Sequence, residues 1–391
     1  MLYFSFYIFT FLLNFIFTFA TFIPNERYCH SSVLIDKKLY FIGGFKFVNS
    51  SFSSITNEFF YLDVSKPFTT TNNILIPWID LTYTGGPLKY SATACIGGKN
   101  NDMIFIFGGI SPLNVIQSFV NQFDTSIQQW INITSVGSVL TDKGGFSFAK
   151  FNNGLIAIAS GNSTFINITK ELWIFDTLTL TGSLSNATNI PYLWGYCAIT
   201  LPDENILYIG EHNAINLLDF APMNNGTSGQ TPPGRDSFSA VLTFDGRIII
   251  FGGHNEIASL GDLWILDITM FQWSIGNIFN PIVDFIPYEH TATLVDNYMF
   301  VAFGKFINGS YSSKISILDV SQKNSYKWVT EFIPNTTTTT TITATTSNSI
   351  SNNTKSSDSK NTSRIIGSIV SLIIIFVIAS VLTLKFIDKY K

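Results

Sequence analysis

The chain has 391 residues, a net charge of −4, and only 12% charged residues against 46% hydrophobic and 15% aromatic ones. That balance excludes a general polyanion-binding role, so no nucleic acid is expected as a partner, and it excludes a chain disordered throughout. It suits membrane segments combined with strands that are buried on both faces.

Residues 1–23 are almost wholly apolar, with Thr18 and Ala20 in the small-residue positions before a cleavage point. They are read as a secretory signal peptide over 1–20. The length of the run, and the lack of Lys or Arg before it, favour an uncleaved anchor as the alternative.

Residues 21–334 contain six copies of a unit of about 50 residues, a period that indicates a propeller or a solenoid. In each copy an apolar run closes on glycine: at Gly43 and Gly44, Gly108 and Gly109, Gly161, Gly210, Gly252 and Gly253, and Gly304. These runs are too short for helices, rich in β-branched and aromatic residues, and apolar at nearly every position. That pattern predicts strands sandwiched between neighbouring sheets. A strand rich in small residues begins upstream of each run, around Tyr28, Tyr90, Gly145, Gly195, Ser237 and Glu289, and suits an innermost position where space is tight. Downstream, a third strand ends in Asp63, Asp124, Asp176, Asp219, Asp267 or Asp319, each placed to open a turn by accepting backbone N–H groups. A Trp follows in four units, Trp78, Trp130, Trp273 and Trp328, where it can cover the outer edge of its sheet. Every unit reads as continuous from inner to outer strand.

Residues 335–363 are 18 Ser or Thr out of 29 and contain no aromatic residue. The segment cannot bury enough apolar surface to fold and reads as a disordered, mucin-like stalk, reaching up to about 90 Å at roughly 3.1 Å per residue. A transmembrane helix is expected over 364–384, where the uncharged run 365–384 would span about 30 Å of hydrocarbon. A tail of residues 385–391 follows. Lysines or arginines flank the run on both sides, so orientation rests on the signal peptide, which would place the middle region outside the cell at the plasma membrane. The sequons at Asn49, Asn132, Asn162, Asn167, Asn186, Asn225, Asn308, Asn335, Asn352 and Asn361 are N-glycosylation candidates consistent with that side.

The succession of a His- or Arg-led strand, Gly-Gly, aromatic-x-x-Asp and Trp resembles the kelch repeat of galactose-oxidase-type propellers, over residues 25–333. Unit five matches most fully, with Arg235, Gly252, Gly253, Asp262, Asp267 and Trp273. Units three and four depart from the pattern, lacking the Gly pair and the terminal Trp. The resemblance implies an all-β, kelch-type β-propeller of about six four-stranded blades, here placed between a signal peptide and one C-terminal transmembrane helix.

Galactose oxidase holds copper with two Tyr, two His and a Cys-linked Tyr, and no such set can be assembled here. Cys29, Cys95 and Cys197 are read as buried thiols on innermost strands. No metal, cofactor or catalytic residue is therefore expected, and phosphate-loop, His-Glu-x-x-His and nucleophile-elbow motifs are absent from the sequence. His30 and His290 start innermost strands, while His212 and His254 follow the glycine that ends a second strand. Antiparallel pairing brings those ends together, so the four histidines, with Arg27, Arg235 and Glu211, are expected to ring one mouth. Kelch-like domains often bind partners there, so the resemblance makes this mouth the candidate ligand face. For His30 and His290 the competing expectation is a structural one, hydrogen bonding to backbone between adjacent blades. The segment 45–56 is expected to be a long polar loop that adds contacts. The function expected first is non-enzymatic recognition or adhesion at the cell surface through protein or glycan ligands. An extracellular carbohydrate-active or oxidase-like enzyme and a structural wall glycoprotein are the alternatives.

Overall fold

The apolar runs fold as strands, and the strands assemble into six sheets set side by side. A computed structural model describes residues 22–335 except 50–51, 114, 116, 132, 134–135, 138–142, 160–170, 188–189, 191–194, 211–226 and 256–257. The expected signal peptide, the stalk beyond Asn335, the transmembrane helix and the tail lie outside the described residues. So do Asn132, Asn162, Asn167, Asn225, Asn352 and Asn361. Among the described residues, no helix is long and apolar enough to cross a membrane.

Blade 1 is built from Ser31–Ile35, Lys38–Ile42, Phe59–Asp63 and Trp78–Asp80, and blade 2 from Tyr90–Gly97, Met103–Ile110, Val120–Asp124 and Gln129–Ile131. Blade 3 comprises Phe148–Lys150, Leu155–Ala159, Leu172–Asp176 and Thr181–Leu184. Blade 4 contributes Cys197–Thr200 and Ile206–Ile209; the third strand expected to end at Asp219 lies outside the described residues. Blade 5 is Ser239–Leu242, Arg247–Phe251, Leu263–Asp267 and Gln272–Gly276, and blade 6 is Thr291–Val295, Tyr298–Ala302, Ile315–Gln322 and Ser325–Val329.

Alternate residues of each second strand serve two different seams. From Lys38–Ile42, Leu39 and Phe41 join Phe300, Ala302 and Phe303 of blade 6, whereas Tyr40 and Ile42 join Ala94, Ile104 and Ile106 of blade 2. Burial on both faces is why these runs are apolar throughout instead of at every second position. The aspartates act as turn openers: Oδ1 of Asp124 accepts from the Ser126 N–H at 2.8 Å, that of Asp176 from Leu178 at 2.8 Å, and that of Asp267 from Thr269 at 2.9 Å. Each carboxylate is held below its ordinary pKa in part by those bonds.

Closure of the ring is the feature that the sequence left open. One residue from each blade, at or just ahead of the start of its innermost strand, takes a left-handed conformation: Cys29, Ser91, Gly145, Gly195, Ser237 and Glu289, with φ between 51° and 66°. Their backbones form a cycle. Ser91 N–H donates to Cys29 C=O (2.8 Å), Gly145 to Ser91 (3.0 Å), Gly195 to Gly145 (2.9 Å), Ser237 to Gly195 (3.0 Å), Glu289 to Ser237 (2.9 Å) and Cys29 to Glu289 (3.0 Å). The cycle fixes the blade number at six. Below it, the six innermost strands line a central channel of about 520 Å³.

The Gly pairs let adjacent blades approach closely. The second Gly donates its N–H to the next blade two residues ahead of the cycle, as in Gly44 to Lys89 (2.8 Å), Gly109 to Lys143 (2.8 Å) and Gly253 to Pro287 (3.1 Å). A Cβ on Gly252 would sit 2.6 Å from the Pro287 carbonyl oxygen. Blades 6 and 1 meet through shared apolar packing, the contact of Phe22 with Phe60, and the short pair Glu331–Phe332 on Phe68–Thr69.

Two expectations are corrected. In blades 3 and 5 the incoming connection adds a fifth, parallel edge strand, Val136–Gly137 and Ser228–Gly229 respectively, so these sheets are not continuous in sequence. Residues 45–56 are not a loop: Phe45–Asn49 and Phe52–Ile55 form a hairpin that pairs with Arg27–Tyr28.

The cycle makes a prediction. Gly195→Val should cost about 2 kcal/mol in denaturant unfolding, since an L-residue with a branched Cβ resists the left-handed region, whereas Gly195→Asn should cost much less. Equal losses for the two variants would show that φ at this position does not limit the fold.

Candidate functional site

The hydrogen-bonded cycle divides its neighbours between the mouth and the interior. Residues one position ahead of it, Tyr28, Tyr90, Gly144, Asp236 and Tyr288, belong to the mouth. Residues one position after it, His30, Ala92, Phe146, Tyr196, Phe238 and His290, turn inward, and all but Ala92 are buried.

The mouth holds a cavity of about 260 Å³ lined by Tyr28, Cys29, Phe45, Tyr90, Ser91, Ile110, Gly144, Gly145, Glu289 and Lys305. Its wall is a run of aromatic rings. Tyr90 lies 4.3 Å from Phe45, Phe45 stacks on Tyr28 at 5.1 Å, Tyr28 meets Tyr311 at 4.8 Å, and Phe47 of the hairpin adds a contact to Tyr311 at 5.9 Å. Lys305 Nζ sits 5.3 Å from the centroid of Tyr28 and 5.8 Å from that of Tyr288. Next to it, His254 stacks on Tyr288 at 4.7 Å and places Nδ1 2.8 Å from Asp236 Oδ1. Hydrogen bonding to Asp236 holds the His254 pKa above its ordinary value, against the effect of burial. Among the described residues, blade 3 brings Gly144 and Gly145 to this rim, and the aromatic rings come from blades 6, 1 and 2.

Of the residues expected to ring the mouth, His254 is there, with its side chain 31% exposed. Glu211 and His212 lie outside the described residues. Arg27 and Arg235 are buried beneath the mouth and act as clamps. Arg235 Nη1 donates to Gly252 C=O (3.2 Å) and to Asp262 Oδ1 (2.6 Å), while Nη2 reaches Asp262 Oδ2 at 2.9 Å. Arg27 repeats the arrangement with Gly43 C=O and Glu58, its guanidinium carbon 4.5 Å above the Phe60 ring. His30 and His290 are interior side chains filling an aromatic position of the repeat. His30 Nε2 lies 2.9 Å from Thr291 Oγ1, and the ring packs edge-on to Phe303. His290 lies over Gly252, where an added Cβ would meet its Cε1 at 2.6 Å, and Phe146 covers Gly108 in the same way. Burial, with Arg27 and His290 nearby, pushes the His30 pKa well down, and burial takes His290 down to about 3. Among the cysteines, Cys95 and Cys197 are on innermost strands, but Cys29 sits in the cycle itself and faces the cavity; its thiol pKa is raised by burial and then by Glu289. Among the described sequon residues, the side chains of Asn186, Asn308 and Asn335 are exposed, and Asn49 ends a hairpin strand.

Residues 26–67 and 237–279 match the family model of the Kelch motif. The chain is similar to Acyl-CoA-binding domain-containing protein 5 of Arabidopsis thaliana, 22% identical over 322 residues, covering 78% of this chain and 48% of that protein. It is also similar to Kelch domain-containing protein 3 of Rattus norvegicus, 24% identical over 267 residues, covering 65% and 55%. The chain spans about half the length of the curated relatives it matches. The solved structure of YjhT shares the fold at a TM-score of 0.57 and 13% identity, covering 78% of this chain and 98% of that one. Six sheets around a common channel, locked by one turn from each, define a kelch-type β-propeller. Two stretches of the chain thus carry the Kelch motif, and kelch repeats suggest a protein-binding propeller.

The two interior histidines set an acid limit on stability. Burial holds both below their ordinary pKa in the fold, so below about pH 6.5 the unfolded chain takes up more protons than the native state, and stability is lost as pH falls. At about pH 5.5 His290 alone should cost about 1.4 kcal/mol. His290→Leu should therefore narrow the Tm difference between pH 7.5 and pH 5.5 relative to the parent protein, in which His254 titrates in the opposite sense. An unchanged difference would mean that His290 is protonated in the fold.

Proposed function

We propose that the chain is a non-enzymatic recognition protein that binds a protein ligand at the aromatic mouth, with no cofactor, and is tethered at the cell surface. The observation that carries the binding reading is the wall of Tyr90, Phe45, Tyr28 and Tyr311, mounted on backbone that the hydrogen-bonded cycle holds in place. Large aromatic side chains with few rotatable bonds are the usual energetic anchors of interfaces, and a fixed scaffold removes most of the ordering cost of binding. The Cys29 thiol, its pKa raised by burial, is protonated and a poor nucleophile, which fits recognition better than covalent chemistry. The tether is supported by the apolar runs at 1–23 and 365–384 and by the Ser/Thr-rich segment between the propeller and the second run. Exposed Asn186, Asn308 and Asn335 are accessible as glycan acceptors would need to be.

Two measurements test the parts separately. A photo-crosslinking amino acid in place of Tyr90 in the full-length, cell-expressed protein should give discrete protein adducts that the same group in place of Ile275, on the outer strand of blade 5, does not. Tyr28→Ala should weaken the same partner about 30-fold, corresponding to about 2 kcal/mol for an aromatic anchor. Equal adducts from both positions would remove the mouth as the binding face, and adducts with glycan alone would change the ligand class. Protease protection on intact cells, combined with deglycosylation, should find residues 21–334 outside and glycosylated. A protected, unmodified middle region would end the surface reading.

A further inference from the structure

We propose that the mouth cavity is a receptor for one cationic side chain, a Lys or Arg of the protein partner, with Glu289 as its counter-charge and Tyr28, Phe45 and Tyr90 as its walls. The inference rests on the mouth being the binding face. The cavity, at about 260 Å³, falls below the ~300–1,000 Å³ typical of pockets for drug-sized molecules, so it is sized for a single side chain. Its floor carries a carboxylate whose Oε2 is buried and has no hydrogen-bond partner among the described residues, while the Cys29 thiol hydrogen-bonds the group. A buried, half-satisfied carboxylate is costly unless something completes it. Burial raises the Glu289 pKa, opposed next by Lys305, so an incoming cation would stabilise a charge that the fold alone holds poorly. Aromatic rings attract ammonium and guanidinium groups but not carboxylates, and the Tyr28 ring already has the Lys305 ammonium 5.3 Å from its centroid.

Lys305 is the native cation that could fill this role. Its Nζ lies between Tyr28 and Tyr288 and is hydrogen-bonded to Tyr288, and it makes no ion pair with Glu289 within 4.0 Å. An acidic ligand drawn to Lys305 would instead have to lie beside Glu289 and near Asp236. Among the described residues, the remaining groups facing the cavity, Ser91, Ile110, Gly144 and Gly145, bring no charge.

The test uses the full-length protein and four fluorescent pentapeptides, Gly-Ser-X-Ser-Gly, where X is Arg, Lys, citrulline or Glu, measured by anisotropy at low salt and pH 7.5. The Arg and Lys peptides should bind at least tenfold more tightly than the citrulline and Glu peptides. Glu289→Gln should abolish that preference while raising Tm at pH 7.5, because it removes a buried charge whose folded pKa is raised. Tyr90→Leu should weaken the Arg peptide severalfold, and Lys305→Met, which removes a competing cation from the cavity, should tighten it. Equal binding of Arg and citrulline peptides, or a preference that survives Glu289→Gln, overturns the proposal. A Glu-peptide preference lost in Lys305→Met does the same and reverses the ligand's sign. Crosslinking at Tyr90 is read independently: if it persists while the peptides show no charge preference, the mouth still binds and only the cationic receptor fails.

Discussion

Six backbone hydrogen bonds, linking one left-handed residue from each blade into a cycle, are the constraint on which the other features depend. A propeller of separate sheets has no continuous ladder to close it, and its seams are apolar packing without direction. Hydrogen bonds add the direction. Because every member donates one way round the ring and accepts from the other, all six turns share one orientation. The residue ahead of each turn is then committed to the mouth and the residue after it to the interior.

That division explains which parts of the sequence were legible. Strands, Gly pairs, turn-opening aspartates and outer tryptophans recur at fixed spacing because every blade meets the same neighbours, so six repeats reveal what one would not. The histidines were harder. Their place at the start of an innermost strand was readable, but a shift of one residue across a left-handed turn exchanges mouth for interior, and the sequence does not mark which residue turns. Aligning the units on Cys29, Ser91, Gly145, Gly195, Ser237 and Glu289 would have shown Tyr28, Tyr90 and Tyr288 sharing the mouth position. It would also have grouped His30 and His290 with Phe146, Tyr196 and Phe238, an interior set. Arg27 and Arg235 fall two places before the turn, where Lys89 and Lys143 also stand. Three of these are paired to an acid of their own blade, Glu58, Asp262 and Glu171 respectively for Arg27, Arg235 and Lys143, and Lys89 is held by Asn121.

The cavity itself was beyond sequence reasoning for a different reason. Glu289 and Cys29 are neighbours only because the ring closes, and nothing local connects positions so far apart in the chain. The segment 45–56 illustrates a related limit: its serines and asparagines suggest a loop, yet pairing with Arg27–Tyr28 makes it a hairpin that brings Phe45 and Phe47 to the mouth.

The repeat also shows where the molecule departs from uniform stability. Buried aromatics, clamped arginines and satisfied backbone around the cycle favour the folded state, whereas the interior His30 and His290 oppose it at acid pH. Glu289 carries a cost of its own. Its φ of 54° is strained for a residue with a side chain, and its carboxylate is held away from water with one oxygen unpartnered. Glycine occupies the same position in blades 3 and 4 and satisfies the backbone without either cost, so the fold does not require a carboxylate there. A group that the architecture tolerates but does not need, facing a cavity walled by aromatic rings, is best accounted for by what enters the cavity.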